Sequence, residues 1–189
     1  MILGQDELQK RIEQDSLLIG LGERDQVNPE GVGRDLRIGA AFRMKKTSRP
    51  FIEADVRGLQ GKRQGSETVE IVRQRHGLKQ QPFLTLKPGD YVLVETLETL
   101  NTPTNLMPVW FARSTLQRNG LLLITTKIDP GYQGKLIAGL VNLGPVPVKI
   151  QMGARIANIV FHEIKGKTIA YRGQHQGGRV NSGRIEQQV

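Results

Sequence analysis

Two short stretches of the sequence combine residue types that could handle phosphate and water. Residues 112–120, ARSTLQRNG, place Arg113, Ser114 and Arg118 between apolar runs. A guanidinium and a hydroxyl both suit phosphate oxygens. Further along, Asp129 precedes a Pro-Gly turn, where a carboxylate could deprotonate water or help to hold a hydrated metal ion. Each stretch alone is also compatible with plain structure, a helical turn with exposed arginines and an ordinary Asp-Pro-Gly turn.

Composition narrows the classes of partner. The 189 residues suit one domain, and 27 basic against 18 acidic residues give a net charge of +9. Such a charge favours nucleic acid, a membrane surface or phosphorylated small molecules, unless it serves solubility alone. Aromatic residues make up only 5% of the chain, and no nucleic-acid-binding motif is present, so we expect no nucleic-acid partner.

Absent residue types exclude several chemistries. The chain has no cysteine, which excludes disulfides, cysteine nucleophiles and cysteine-based zinc sites. Its three histidines are scattered and form no metal-binding pair at helical spacing. No apolar run approaches membrane-spanning length, and the N-terminus lacks the features of a signal peptide. We therefore expect a soluble, cytoplasmic protein with no membrane partner.

The apolar pattern predicts a mainly β fold with a short N-terminal helix. Residues 4–19 read as that helix, in which Leu8 and Ile12 share a face. A strand is predicted at 35–42, and after Pro82 short apolar runs are separated by Gly or Pro, which is typical of an all-β barrel or sandwich. The stretches FLTL and YVLVETLE flank KPGD and read as strand, turn, strand.

Two segments stand out from this pattern. Residues 44–81, the basic segment, are irregular except for TVEIVRQ, which could be an inserted strand. We interpret this segment as a solvated excursion, with a dedicated anion site as the alternative. Residues 165–189, the C-terminal segment, are rich in Gly, Gln and Arg and are predicted to be mobile. This gives one domain over 1–164 and a flexible tail that either closes over a phosphorylated ligand or is a frayed terminus.

Five motifs in order carry a family resemblance: GRDLRIG, ARSTLQRNGL, IDPGYQG, RIANIVF and YRGQHQGG. Together they resemble the dCTP deaminase and trimeric dUTPase superfamily. MILGQDELQKRI, RSTLQRNGL and the PG of IDPGYQG are closer to the dCTP deaminase branch. The resemblance implies a distorted β-barrel of the dUTPase-like, jelly-roll type and a homotrimer with active sites at subunit interfaces. It also implies a deoxyribonucleoside triphosphate ligand with Mg²⁺ and no zinc.

The resemblance assigns roles around the two stretches described first. Arg113, Ser114 and Arg118 match the phosphate-binding motif of the family. Asp129 matches the acid that dUTPases use to activate the attacking water. Tyr132 matches the aromatic residue that packs on deoxyribose and disfavours a 2′-hydroxyl.

Five further residues receive roles from the other motifs. Asn158 stands where a Gln usually contacts phosphates. Tyr171, Arg172 and Gln174 fall in the closing C-terminal segment and are expected to bind substrate. Asp35 matches an acid that is mainly structural or reaches the metal through water, so Mg²⁺ would be held by substrate phosphates and water, with no direct protein ligand.

The sequence also departs from the dCTP deaminase branch. Those enzymes relay protons with a Glu shortly after the PG turn, and Gly139 occupies the matching position. Glu95 and Glu98 lie on an earlier predicted strand. Ala170 replaces a usual Lys, and the Phe that stacks on the base in the dUTPase tail has no counterpart, although His175 could stack instead.

These departures lead to a ranked set of functions. We expect a dUTPase-like pyrophosphohydrolase that converts dUTP to dUMP and pyrophosphate. The alternative is a dCTP deaminase producing dUTP, or a bifunctional dCTP deaminase and dUTPase. A third interpretation is a nucleotide-binding regulator without turnover. The base preference stays open, since dUTPases read uracil largely through backbone groups.

Overall fold

The computed structural model of the chain describes residues 1–181 and 183–187. Three helices are present in that part, α1 (Gln5–Asp15), α2 (Glu23–Val27) and α3 (Ser114–Arg118). The strands are β1 (Leu18–Ile19), β2 (Arg34–Met44), β3 (Phe51–Ile52), β4 (Lys62–Gln64), β5 (Thr68–Arg73), β6 (Phe83–Leu86), β7 (Tyr91–Asn101), β8 (Leu106–Ala112), β9 (Leu121–Ile124), β10 (Gln133–Asn142), β11 (Val148–Gln151), β12 (Arg155–Glu163) and β13 (Ile185–Gln187). None of the described helices is long and apolar enough to cross a membrane.

One eight-stranded sheet forms a nearly closed barrel. Its strands run in the order β8, β12, β2, β7, β10, β9, with β1 added to β7 and β5 added to β2. Two smaller sheets pair β11 with β6 and join β13, β4 and β3. The expected fold class, a mainly β distorted barrel with a short N-terminal helix, is confirmed.

The core follows from side chains that alternate across the strands. In β10, Leu136, Ala138 and Leu140 are buried inside the barrel. Ile137 and Val141 point to the opposite face of the strand and are half-buried. Burial of this apolar surface is the main stabilising term for such a sheet.

The predicted strand, turn, strand unit is present. Lys87 and Asp90 close a tight turn between the two strands, in which the Asp90 carboxylate accepts a hydrogen bond from the Lys87 amide at 2.9 Å. However, β6 pairs with β11, while β7 pairs with β2 and β10. A local sequence pattern identifies a strand, but its pairing partner depends on which position in the sheet buries its apolar face.

The basic segment contains more structure than its sequence indicates. The possible strand TVEIVRQ is confirmed as β5, which pairs with β2. The stretch GLQGKRQGSE was expected to be loop but contains β4, a strand of three residues. So short a strand leaves no measurable periodicity, and its pairing supplies the stabilisation instead.

The described part of the C-terminal segment packs against the body of the protein. The Tyr171 amide donates to the carbonyl of Pro130 at 2.7 Å, and the Gly177 amide donates to the carbonyl of Gln133 at 2.8 Å. Farther on, β13 pairs with β4. The mobility of this segment in solution stays a prediction.

Candidate functional site

A cavity of about 340 Å³, the Asp129 cavity, lies at the turn that follows β9. Four parts of the chain surround it: this turn, Trp110 of β8, strands β7 and β10, and the C-terminal segment. Its lining includes Leu93, Asp129, Tyr132, Ile137, Tyr171 and His175. The structure thus brings together three of the predicted site residues, Asp129, Tyr132 and Tyr171.

The turn that carries Asp129 is fixed by backbone hydrogen bonds to Thr102. Within the turn, the Tyr132 amide donates to the Asp129 carbonyl at 3.2 Å, and Gly131 has a φ of +82°, which glycine adopts at little cost. The Gly131 amide donates to the Thr102 carbonyl at 3.1 Å, and the Thr102 amide donates to the Tyr132 carbonyl at 2.9 Å. Nothing in the sequence indicated Thr102, because its role rests on backbone groups that any residue has.

Asp129 combines a fixed backbone with an accessible carboxylate. Its side chain is 43% exposed and forms an ion pair with Lys127. Since both residues line the cavity, the carboxylate can accept a hydrogen bond from water there. This arrangement suits a general base whose attacking water comes from solvent.

Tyr132 is a rigid wall of the cavity. Its ring is 8% exposed, and its hydroxyl donates to the Lys135 carbonyl at 2.6 Å. Tyr171 contacts it edge to face, with ring centroids 5.7 Å apart. Burial raises the pKa of Tyr132 to about 12, so the hydroxyl stays protonated at neutral pH. A fixed neutral ring is suited to packing against a sugar.

The remaining C-terminal residues differ in their surroundings. Gln174 accepts a hydrogen bond from the Arg63 Nε at 3.0 Å and lies beside the cavity rather than in it. Burial, with smaller contributions from Arg63 and Arg179, lowers the pKa of His175. Arg172 is exposed, and the described part of the chain provides it with no hydrogen bond or ion pair.

A second group of residues surrounds Asp35, which is 4% exposed. Its carboxylate pairs with Arg113, with Arg155 at 2.8 Å and with Arg24 at 3.7 Å, and it accepts a hydrogen bond from Asn158 at 3.1 Å. The wider Asp35 cluster is close to neutral, because Arg24 also pairs with Glu30 at 2.8 Å and the Asp35 amide donates to the buried carboxylate of Asp25 at 3.1 Å. The guanidinium groups of Arg113 and Arg155 have further N–H donors beyond those on Asp35, and such donors suit an anion such as phosphate.

Sequence reasoning found Arg113 and Asn158 in this cluster but missed Arg24 and Arg155. Arg155 begins the motif RIANIVF and could have been found there, whereas Arg24 of α2 reaches Asp35 only in the folded barrel. Ser114 and Arg118 are the first and last residues of α3, and both are exposed. None of these predicted phosphate-binding residues lines the Asp129 cavity of the same chain.

Gly139 lies on the outer face of β10, paired with Leu93 and Ile124. A Cβ atom there would lie 2.5 Å from the Tyr91 hydroxyl oxygen, so the tyrosine ring fills the space that a side chain would need. The structure therefore has no acid at this position and no empty room for one.

The two acids of β7 are held by basic partners. Glu98 is 1% exposed and accepts a hydrogen bond from the Arg37 Nε at 2.7 Å, and burial raises the pKa of its carboxyl. Glu95 lies opposite Ile137, a cavity residue, and accepts hydrogen bonds from Arg73 at 2.9 Å and Lys135 at 3.4 Å. Glu95 is thus the acid of this strand that lies beside the cavity wall.

Comparison with known proteins identifies the family. The family model for dCTP deaminase-like proteins matches residues 2–164. The chain is 32% identical over 169 residues to a dUMP-forming dCTP deaminase of Dictyoglomus thermophilum, covering 87% of this chain and 81% of that one. It is 30% identical over 184 residues to a dCTP deaminase of Halorubrum lacusprofundi, covering 95% and 85% of the two chains.

A solved structure agrees at the level of the fold. The crystal structure of 2′-deoxycytidine 5′-triphosphate deaminase from Agrobacterium tumefaciens superimposes with a TM-score of 0.59 at 18% identity. The match covers 85% of this chain and 47% of that one, so this chain spans about half its length. Because the family model covers most of the sequence and the fold agrees, the chain belongs to the dCTP deaminase-like family.

Proposed function

We propose that this protein forms dUMP from a pyrimidine deoxyribonucleoside triphosphate. The observation that carries the proposal is the Asp129 cavity, where an accessible carboxylate stands beside the buried ring of Tyr132. The relatives from Dictyoglomus bear the name of dUMP-forming dCTP deaminases. Their names fit dCTP as the starting nucleotide better than they fit our first expectation, a dUTPase alone.

The step that the cavity supports best is hydrolysis between the α- and β-phosphates. In this step Asp129 takes a proton from water as the oxygen attacks the α-phosphorus. The bond from that phosphorus to the bridging oxygen breaks, and pyrophosphate leaves. Tyr132 packs on the deoxyribose, while Arg113, Ser114, Arg118 and Asn158 stabilise the charge that develops on the phosphates.

Mg²⁺ is proposed to arrive with the triphosphate. Among residues 1–181 and 183–187, no group of three His, Asp or Glu residues could hold a metal ion alone. Mg²⁺ commonly keeps several waters and binds through substrate phosphates with one or two carboxylates. Asp35 pairs with arginines and Asp129 pairs with Lys127, so the substrate phosphates and water are proposed to hold the ion.

The active assembly is proposed to be a homotrimer whose sites combine two copies. In one chain, the Asp35 cluster and the Asp129 cavity share no lining residue, although the proposed reaction needs both. Apolar side chains on β8 and β9 are also exposed, namely Phe111 at 55%, Leu122 at 43% and Ile124 at 48%. Exposed apolar residues of this kind often mark an interface.

Deamination of dCTP is the second candidate, favoured by the names of the relatives. The ring carbon that loses ammonia must receive hydroxide, and a side chain must move the protons. Gly139 cannot do so, whereas Glu95 lies on the same face beside Ile137. We propose Glu95 as the proton carrier if this activity is present.

The test is product analysis with each nucleotide separately. Purified protein with Mg²⁺ is given dUTP or dCTP, and all nucleotides and pyrophosphate are resolved. We expect dUMP and pyrophosphate from dUTP, with kcat reduced at least about a hundredfold in Asp129→Asn, the usual scale for losing a general base. The matched control is Asp6→Asn, the same change at an exposed site in α1.

Three outcomes separate the alternatives. Conversion of dCTP to dUMP, lost in Glu95→Gln, would establish the bifunctional enzyme. Accumulation of dUTP from dCTP would indicate a deaminase without hydrolysis and would contradict the role of Asp129. Tight binding of either nucleotide with no product would support only the third interpretation, a nucleotide-binding regulator without turnover.

A further inference from the structure

The basic segment has one strand placed directly against the end of the chain. β4 forms the middle of a three-stranded sheet, with β3 on one side and β13 on the other. Gln64 of β4 pairs with Ile185, and Arg63 pairs with Glu186. The end of the chain therefore adds a strand to a hairpin of the basic segment, the geometry in which extended peptides dock on sheet edges.

Side chains extend this docking toward the Asp129 cavity. The Gln64 amide donates to the Gly183 carbonyl at 2.7 Å, and the Thr68 hydroxyl donates to the Asn181 carbonyl at 3.3 Å. Arg63 donates from Nε to the Gln174 side-chain oxygen at 3.0 Å. The Thr68 contact reaches Asn181, which lines the cavity, and the Arg63 contact reaches Gln174, which is followed directly by the lining residue His175.

From Gln174 the contacts continue into the cavity wall. Gln174 is followed by His175, whose amide donates to the Tyr171 hydroxyl at 3.2 Å. The ring of Tyr171 packs edge to face on Tyr132. A contiguous path of hydrogen bonds and ring packing thus joins β4 to the sugar-facing wall.

A second cavity, of about 260 Å³, lies between the basic segment and the C-terminal segment. It shares His175, Arg179 and Asn181 with the Asp129 cavity. These three residues therefore contact both cavities. The stretch around them is held on the barrel by hydrogen bonds to Pro130, Gly131 and Gln133, and the Arg63 contact adds a hold from the basic segment. A segment held by few contacts opens more easily when one of them is removed.

We propose that β4 is the positioning element of the C-terminal segment and that Arg63 is its positioning residue. Arg63 holds Gln174, and through it His175 and Tyr171, in the arrangement that completes the Asp129 cavity. This inference rests on the proposed function for its effect on turnover, although the docking itself can be measured without a nucleotide.

The first experiment measures amide hydrogen exchange on the full chain without ligand. In Arg63→Gln we expect protection of amides in 171–178 to fall by about tenfold, the scale of one hydrogen bond from a charged group. Arg49→Gln is the matched control, since it removes the same charge from an exposed site of the basic segment. In a Gln174→Ala background, Arg63→Gln should cause no further loss.

The second experiment separates KM from kcat with the nucleotide that the wild type turns over. A loosened wall weakens ground-state and transition-state binding alike, so KM should rise about tenfold while kcat changes little. Arg63→Lys keeps a hydrogen-bond donor on a shorter and less rigid side chain. Its KM should lie between those of the wild type and Arg63→Gln.

The outcomes distinguish the two proposals. Unchanged protection in Arg63→Gln overturns the positioning role, whatever happens to turnover. A fall in kcat at unchanged KM also overturns it, because that would indicate direct action in the transition state. If the wild type turns over no nucleotide, the proposed function fails, while hydrogen exchange still decides whether β4 positions the segment.

Discussion

At the residue scale, the ring of Tyr91 occupies the space that a side chain at Gly139 would need. Adding a Cβ in Gly139→Ala forces the Tyr91 ring away from its position, since the new atom would lie 2.5 Å from the hydroxyl oxygen. Tyr91 is 39% exposed and can move, so we expect a loss of about 1–2 kcal/mol in the free energy of unfolding. Urea denaturation measures it.

A second variant, Tyr91→Ala, tests whether the tyrosine ring causes this loss of stability. In a Tyr91→Ala background the same glycine substitution should cost less than about 0.5 kcal/mol, because the colliding atoms are gone. An equal cost in both backgrounds would show that the backbone of β10, and not the tyrosine, requires the glycine.

Tyr132 predicts a pH dependence in the alkaline range. Its folded-state pKa of about 12 lies above the value near 10 of an exposed tyrosine. Its stabilising effect is therefore complete below pH 10 and is lost as the pH rises from about 10 toward about 12. We expect the stability difference between wild type and Tyr132→Phe to shrink over that range in urea denaturation series. A constant difference would contradict the burial of a neutral hydroxyl.

The sequence could predict only part of the candidate site at this scale. Asp129 and Tyr132 were found together because one turn holds both. Arg113 and Asn158 were found through motifs. Arg155 begins the same motif as Asn158 but was given no role, and Arg24 was not found because its approach to Asp35 is decided by how α2 packs against β2.

At the element scale, His175 makes docking of the C-terminal segment sensitive to acid. Burial has the largest effect and lowers its pKa, and the charges of Arg63 and Arg179 lower it further. A hydrogen bond with the Arg179 backbone and the charge of Glu186 act in the opposite direction. The neutral imidazole is thus preferred in the docked form. The stabilising effect of neutral His175 on docking is present above about pH 6.5, the ordinary pKa of a histidine. It is lost as the pH falls through the lower pKa of the folded state.

We therefore expect protection factors of amides in 171–178 to fall when the pH is lowered from 7 to 5. His175→Gln, which cannot be protonated, should remove most of that change. A pH dependence that persists in this variant would assign it to another group. The measurement uses exchange rates corrected for the intrinsic effect of pH.

Elements were easier to predict than their partners. The apolar runs YVLVETLE and RIANIVF fall in strands that are present as β7 and β12. The three residues of β4 gave no signal, and the turn after β6 did not reveal that β6 pairs with β11. In both cases the pairing depends on segments that are distant in the sequence.

At the scale of the whole molecule, the separation of the Asp35 cluster from the Asp129 cavity predicts complementation. Asp129→Asn and Arg113→Ala should each be inactive. When the two are mixed as unfolded chains and refolded together, random assortment leaves about one site in four with both groups intact. We expect about a quarter of wild-type activity to return.

The control mixes Asp129→Asn with Asp129→Ala, which cannot complement each other. Recovery equal to this control would indicate that each site lies within one chain. Light scattering after chromatography would establish the number of copies in the refolded material.

The pairing of β4 with β13 also has a consequence for synthesis. Gln64 and Gly183, which contact each other beside this pairing, are 119 residues apart in sequence. Contacts this distant close late, because a long loop must be ordered before they form. During translation the barrel strands can begin to pair, but the pairing of β4 with β13 must wait until Ile185–Gln187 has left the ribosome. A chain that stops short of β13 would therefore keep the hydrogen bonds of the cavity wall to Pro130 and Gln133 but lack the strand that joins it to β4.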